Sequence, residues 1–209
     1  PHLIMQYNIS PETLVGRPFK EKAITVDKIL DEQIDNKLLQ GLKDKNITLT
    51  PNGALFKKDV RGFLPELMQT IYDDRVKYKR LMLEAKQEYE NTKDPKLKKD
   101  ISRYDNIQMA KKISLNSAYG AIGNSYFRYY NLLVAEAITT SGQLSIRWIE
   151  RCLNRFLNKT LGTDGLDYVI ASDTDSVYIR FDELIDKLPI ERQNTEEVIN
   201  FLDRLAREK

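Results

Sequence analysis

From Pro65 to Tyr119 this chain repeats apolar residues at helical spacing through a stretch otherwise rich in charge, and that stretch limits the fold more than any other. Leu67, Ile71, Arg75, Tyr78, Met82 and Ala85 recur three and four residues apart, the spacing of one face of an α-helix. The pattern fades at Asn91-Thr92-Lys93-Asp94-Pro95, and a second helix is expected over roughly Leu97 to Tyr119. Two helices joined by a short polar turn make an antiparallel helical hairpin. Its surface carries much Lys and Arg and little apolar area, so it is expected to project from a body rather than form its own core.

The flanking segments read as mixed α and β. Before residue 64, Ser10-Pro11-Glu12 resembles a helix start, with Ser10 as the cap. Ile47-Thr48-Leu49-Thr50 and Ala54-Leu55-Phe56 flank Pro51-Asn52-Gly53, and Asn-Gly between such runs signals a β-hairpin. After residue 125 a helix is expected from Leu132 to Asn158, its apolar stripe formed by Ile138, Leu144, Trp148, Cys152 and Phe156. Gly120 and Gly123 are expected to end the hairpin's second helix, Gly162 and Gly165 this later one. Thr195 to Lys209 reads as a last helix with Val198, Phe201, Leu202 and Leu205 on one face.

Composition narrows the chemistry. The 209 residues suit one large domain or two small ones, and a net charge of +2 announces no nucleic-acid binder by itself. His2 is the sole histidine, which puts His-based triads and His-built zinc sites out of reach. Cys152 is the sole cysteine, so no internal disulfide forms. It reads as a small buried apolar residue in a reducing compartment. No apolar run is long enough to span a bilayer. The chain opens at Pro1 directly into Leu3-Ile4-Met5, which reads as a piece of a longer protein.

Near the end, Ser172-Asp173-Thr174-Asp175-Ser176 lies between Tyr168-Val169-Ile170 and Val177-Tyr178-Ile179, two runs suited to strands. A tight turn there places Asp173 and Asp175 at one edge of a sheet. Close carboxylates repel, and a divalent cation relieves that; Mg²⁺ takes few carboxylates and completes its shell with water and phosphate. Aspartate is also a favoured turn residue, so the tetrapeptide alone fits a plain turn equally well.

Two cationic spacings point toward phosphate. Arg75 and Lys79 are four apart, and Lys112, Asn116 and Tyr119 fall at 0, +4 and +7, so each set shares a helix face. A triphosphate spreads its charge over many oxygens and needs donors from separate elements. If the helices pack side by side, Arg75, Lys79 and Lys112 form one cradle, with Asn116 and Tyr119 beside sugar and base. Any one of these cations alone reads as a solvated surface residue; the face that ends in Gly120 does not.

Lys112-Ile113-Ser114-Leu115-Asn116-Ser117-Ala118-Tyr119-Gly120 resembles the fingers motif K-x3-N-S-x-Y-G of family B DNA polymerases. Ser172-Asp173-Thr174-Asp175-Ser176 resembles the family's palm D-T-D motif. Arg75-x3-Lys79 matches its fingers R-x3-K, and Pro1-His2-Leu3-Ile4-Met5 resembles the tail of its first palm motif. Ala121 to Gly162, with Phe127-Arg128-Tyr129-Tyr130, is most similar to the replicative polymerases of T-even-type tailed phages, although the fingers hairpin is shorter.

The resemblance implies an α+β fold: a polymerase palm, an antiparallel sheet with packed helices, carrying an inserted two-helix fingers hairpin. Residues 1–63 would be the first part of the palm, 64–124 the fingers, and 125–209 the second part with the Asp-Thr-Asp hairpin. It implies Asp175 as principal catalytic and metal-binding carboxylate and Asp173 as its weaker partner, with Mg²⁺ as cofactor and Mn²⁺ able to substitute. Arg75, Lys79 and Lys112 would hold the triphosphate; Asn116, Tyr119 and Gly120 would line the nascent base pair. The implied reaction is template-directed nucleotidyl transfer from a dNTP to a primer 3′-hydroxyl. Implied partners are primer-template DNA, dNTP and the exonuclease and thumb domains, in the cytoplasm of a host cell if phage-encoded. The family's first palm aspartate, thumb and K-x-Y segment are not in this sequence, so little activity is expected of these residues alone. Two other readings are a nucleotide- or DNA-binding module without catalysis, and a cyclase-type palm, which lacks the Lys112–Gly120 motif.

Overall fold

The computed structural model describes residues 1–20, 22–187 and 194–208, and it is a mixture of helices with small antiparallel sheets. Two compact units are present, Pro1–Leu144 and Ser145–Lys209.

In the first unit the sheet has the order β1-β3-β2, built from Leu14–Gly16, Ile47–Leu49 and Leu55–Lys57. β2 and β3 pair antiparallel with Thr48 opposite Phe56. The Asn-Gly turn forms between them: Gly53 takes φ 81°, a conformation that costs glycine little. The Thr50 hydroxyl donates to Asn52 Oδ1 at 2.8 Å, and the Asn52 side chain donates to the Leu133 carbonyl at 3.0 Å. Short helices α1 (His2–Tyr7), α2 (Val26–Leu30) and α3 (Asn36–Asp44) surround this sheet in sequence, and Ile4, Ile9, Phe56, Leu64, Met68 and Val134 are among its buried core. The Leu3-Ile4-Met5 entry is thus helical, with Asn8 at φ 56° ending α1.

The long hairpin is α4 (Phe63–Thr92) and α5 (Leu97–Ile122), joined by four residues. Its base is capped from afar. Ser10 does not start a long helix; Pro11–Thr13 is one 3₁₀ turn. Instead the Ser10 hydroxyl accepts the Leu64 N–H at 3.3 Å, Glu12 accepts the Phe63 N–H, and Asn8 Oδ1 accepts the Gly62 N–H at 2.9 Å. These satisfy first-turn donors of α4 that no helical carbonyl can reach. Gly62 fits because a Cβ there would stand 2.6 Å from the Ser10 Cβ. Two expectations are corrected. Gly120 lies inside α5, and Gly123 is its C-cap. Leu67 is exposed, and Met68 takes the buried place.

Helix α6 (Leu132–Leu161) runs through the division between the units. In the second unit Leu157, Leu161, Tyr168 and Leu184 form a core, with Phe201 and Leu205 of α8 (Thr195–Glu208) packed on it. Between them lie β4 (Val169–Asp173), β5 (Ser176–Ile179) and the short α7 (Asp182–Asp186). Trp148 and Phe156 face outward and Cys152 is half-buried, so the stripe expected on α6 is only partly core. Lys209, the end of the expected last helix, lies outside the described residues.

Candidate functional site

The hairpin's two helices meet along a seam that alternates spacings of three and four. On α5 it runs Ile101, Tyr104, Gln108, Lys111, Leu115, Ala118 and Ile122, none of them exposed. On α4 Met68, Met82 and Ala85 are buried, and the rings of Tyr78 and Tyr104 lie 6.2 Å apart. The seam turns polar midway. Lys111 Nζ donates to Asp74 Oδ2 at 2.6 Å across the helices. Buried Gln108 donates to Asp105 Oδ1 at 2.8 Å. The hydrogen bond from Lys111, together with its charge, holds the Asp74 carboxyl below the usual aspartate value.

That pair locates the cations. One residue turns a helix by about 100°. The helices run antiparallel, so stepping from Asp74 to Arg75 and from Lys111 to Lys112 turns the two side chains in opposite senses. Both steps therefore lead to the other flank of the hairpin. Lys79 lies one turn beyond Arg75, and Asn116 and Tyr119 lie one and two turns beyond Lys112, so all follow that flank. Lys79, Lys112, Asn116, Tyr119 and Gly120 are exposed, and Arg75 is half-buried with its Nε buried and without a hydrogen-bond partner. A Cβ on Gly120 would meet nothing within 4 Å, so the backbone there is open to an approaching group.

The carboxylates Asp173 and Asp175 belong to the second unit. Asp173 pairs with Ser176, leaving Thr174 and Asp175 as a two-residue turn, with Thr174 at φ 48°. The Thr174 hydroxyl donates to Asp173 Oδ1 at 3.0 Å, and the Ser176 hydroxyl to the Asp173 carbonyl at 3.2 Å. Both aspartates are exposed. The hairpin is anchored at its other end, where Tyr168 is 1% exposed. Its hydroxyl lies 2.8 Å from Thr163 Oγ1 and donates to Glu183 at 3.1 Å, while its N–H donates to Asn154 Oδ1 at 2.8 Å.

Hard carboxylate oxygens on an open turn suit Mg²⁺ or Mn²⁺, which leave most positions to water and phosphate. Among the described residues no group of three or more His, Cys, Asp or Glu is placed to hold a metal ion. No sequence motif marks Asp74, Gln108 or Lys111, though the spacing of three and four on α5 includes Gln108 and Lys111. At the start of α4, the ring of Phe63 lies 5.2 Å from that of Tyr129, which lies 5.8 Å from Phe127 and carries Arg128 over its face at 5.7 Å. Among the described residues no helix is long and apolar enough to cross a membrane.

Comparison with known proteins bears on the whole chain. The DNA-directed DNA polymerase of Escherichia phage RB69 is 32% identical over 251 residues, covering 100% of this chain and 27% of that protein. That of Enterobacteria phage T4 is 30% identical over 257 residues, with the same coverage of each. The chain thus spans about a quarter of the length of these relatives. A solved family B DNA polymerase from the archaeon Pyrobaculum calidifontis aligns with a TM-score of 0.49 and 23% identity, covering 90% of this chain and 20% of that one. The family model for DNA polymerase family B matches residues 1–200, and the chain belongs to that family.

Proposed function

We propose that this chain is the nucleotide-holding part of a DNA-directed DNA polymerase, with 1–63 and 125–209 belonging to the palm and 64–124 forming the fingers. What supports the reading is the cross-helix contact of Lys111 with Asp74, from which helix geometry carries Arg75, Lys79, Lys112, Asn116 and Tyr119 to one flank of the α4–α5 hairpin. Phosphoryl transfer asks little covalent chemistry of a protein; positioning and charge stabilisation supply most of the acceleration. Lys112 and Lys79 bring mobile point charges to the triphosphate, and Arg75 a planar fork. Asn116 and Tyr119 present an amide and a phenol ring to sugar and base, and Gly120 leaves room for the nascent pair. Asp175, with Asp173 as the weaker partner, would hold Mg²⁺ or Mn²⁺. When bound, such ions neutralise triphosphate charge and lower the pKa of the attacking 3′-hydroxyl. Primer-template DNA and the exonuclease and thumb domains complete the proposed assembly.

The test is titration of the 209-residue chain with a fluorescent dNTP in Mg²⁺ or Mn²⁺. Lys112→Ala is expected to weaken binding about 10- to 100-fold, the loss of one charged contact. Asp175→Asn is expected to remove most of the metal-dependent part. Binding that depends on Lys112 but not on Asp175 would favour a nucleotide-binding module without catalysis. Binding indifferent to both would overturn the proposal.

A further inference from the structure

We infer that Asp74 and Lys111 are positioning residues: their cross-helix ion pair sets the register and rotation that bring Arg75 and Lys112 onto one flank as a single triphosphate cradle. This rests on the reading of those cations as triphosphate-binding.

The two halves of the cradle lie on different helices, so their spacing depends on how α4 and α5 slide and turn against each other. Most of the seam resists this weakly. Met82 and Ala85 are buried along α4, and Met68 and Leu115 at the hairpin's base join the core that holds Ile4, Phe56 and Val134; apolar packing of either kind has no direction. The Lys111–Asp74 contact at 2.6 Å is directional, and each partner is the immediate chain neighbour of a cradle cation. Arg75 Nε is buried without a hydrogen-bond partner, so no bond at that nitrogen fixes the side chain. Lys77, which also acts on Asp74, sits on α4 and cannot report the position of α5. Lys111 is the partner that can.

The pair is half-exposed, so it adds little to stability in itself. Its use is geometric, and that use has its own signature. Removing the negative charge of Asp74 from beside a polyanion site would, through space alone, tighten triphosphate binding. Removing the positive charge of Lys111 would loosen it. Positioning predicts loosening in both cases.

The experiment measures binding of inorganic triphosphate and of a fluorescent dNTP to the whole chain. The variants are Asp74→Asn, Lys111→Met and the exchange Asp74→Lys with Lys111→Asp, and Lys112→Ala is the reference. Denaturant curves set conditions in which each variant is folded, so a purely structural role predicts unchanged affinity. The expected result is about threefold to tenfold weaker binding for both single variants, within the coupling range of neighbouring residues. The exchange is expected to return to within about twofold of the parent. Tighter or unchanged binding in Asp74→Asn overturns the inference while Lys112→Ala still weakens binding. If Lys112→Ala has no effect, the triphosphate reading fails instead.

Discussion

The α4–α5 hairpin buries Met82 and Ala85 along its length, seats Met68 and Leu115 in the core at its base and adds a cross-helix ion pair, whereas the β4–β5 hairpin exposes Ile170 at 71% and Tyr178 at 57% and is held at one end by Tyr168. Both carry charge, the three cations Arg75, Lys79 and Lys112 on the first and two aspartates on the second. In the helical hairpin every turn meets the partner helix, so charges along its length stand on a supported scaffold. In the β-hairpin the aspartates occupy the unsupported tip of a two-stranded ribbon, a structure of marginal stability by itself. Arg75, Lys79 and Lys112 stand on long helices packed against each other; Asp173 and Asp175 stand at an exposed two-residue turn.

The sharpest way to break this contrast is to remove the anchor. Tyr168→Ala is expected to destabilise the second unit by about 3–5 kcal/mol, the range for truncating a buried aromatic side chain. Trp148, the only tryptophan, lies in that unit and reports its unfolding by fluorescence. A loss below about 1 kcal/mol would show that the tip and base share support after all.

A smaller effect is expected at the base of the helical hairpin. Gly62→Ala pushes a methyl to within 2.6 Å of the Ser10 Cβ and 3.1 Å of the Ser10 hydroxyl that caps Leu64. Overpacking of this kind costs about 1–3 kcal/mol. Hydrogen exchange is expected to speed at the first-turn amides of α4, with the middle of the helix unchanged.

The smallest effect is electrostatic. The hydrogen bond and charge of Lys111 depress the folded pKa of Asp74. Its contribution is therefore fully present above the unfolded value of about 3.9 and is lost as pH falls through that value toward the lower folded one. Helical content followed through acid titration is expected to fall slightly more steeply in the parent than in Asp74→Asn. Equal slopes would mean that the pair adds nothing to the hairpin's stability.

Much of the fold was readable where the signal is local. The Asn52-Gly53 turn, the long periodic helices and the two runs around Asp173 and Asp175 each follow from a few consecutive residues. What was misread depends on partners far along the chain. Ser10 looked like the cap of its own helix, yet its oxygen serves Leu64, 54 residues on. Gly120 looked like a helix end, but the seam of Leu115 and Ala118 continues past it to Ile122, and this packing outweighs the roughly 1 kcal/mol that glycine costs a helix. Leu67 and Met68 are both apolar, and only the core that Met68 joins, with Ile4, Phe56 and Val134, decides which faces inward. In the candidate site the spacing of Arg75 with Lys79, and of Lys112 with Asn116 and Tyr119, could be read from each helix alone. The link between the two sets could not, because Asp74 meets Lys111 only once the register is known.

Helix α4 has 30 residues and so extends about 45 Å from a base seated on Ser10, Glu12 and Asn8. Such a rod acts as a lever arm. Arg75 and Lys79 stand 12 and 16 residues from its first residue, about 18 and 24 Å along the axis. A tilt of about 10° at the base would carry them some 3–4 Å, about one hydrogen-bond length. The gearing runs both ways: a shift of a few Å at the cations needs only a small angular change at Gly62, and a change of packing at Gly62 reaches residues it never touches.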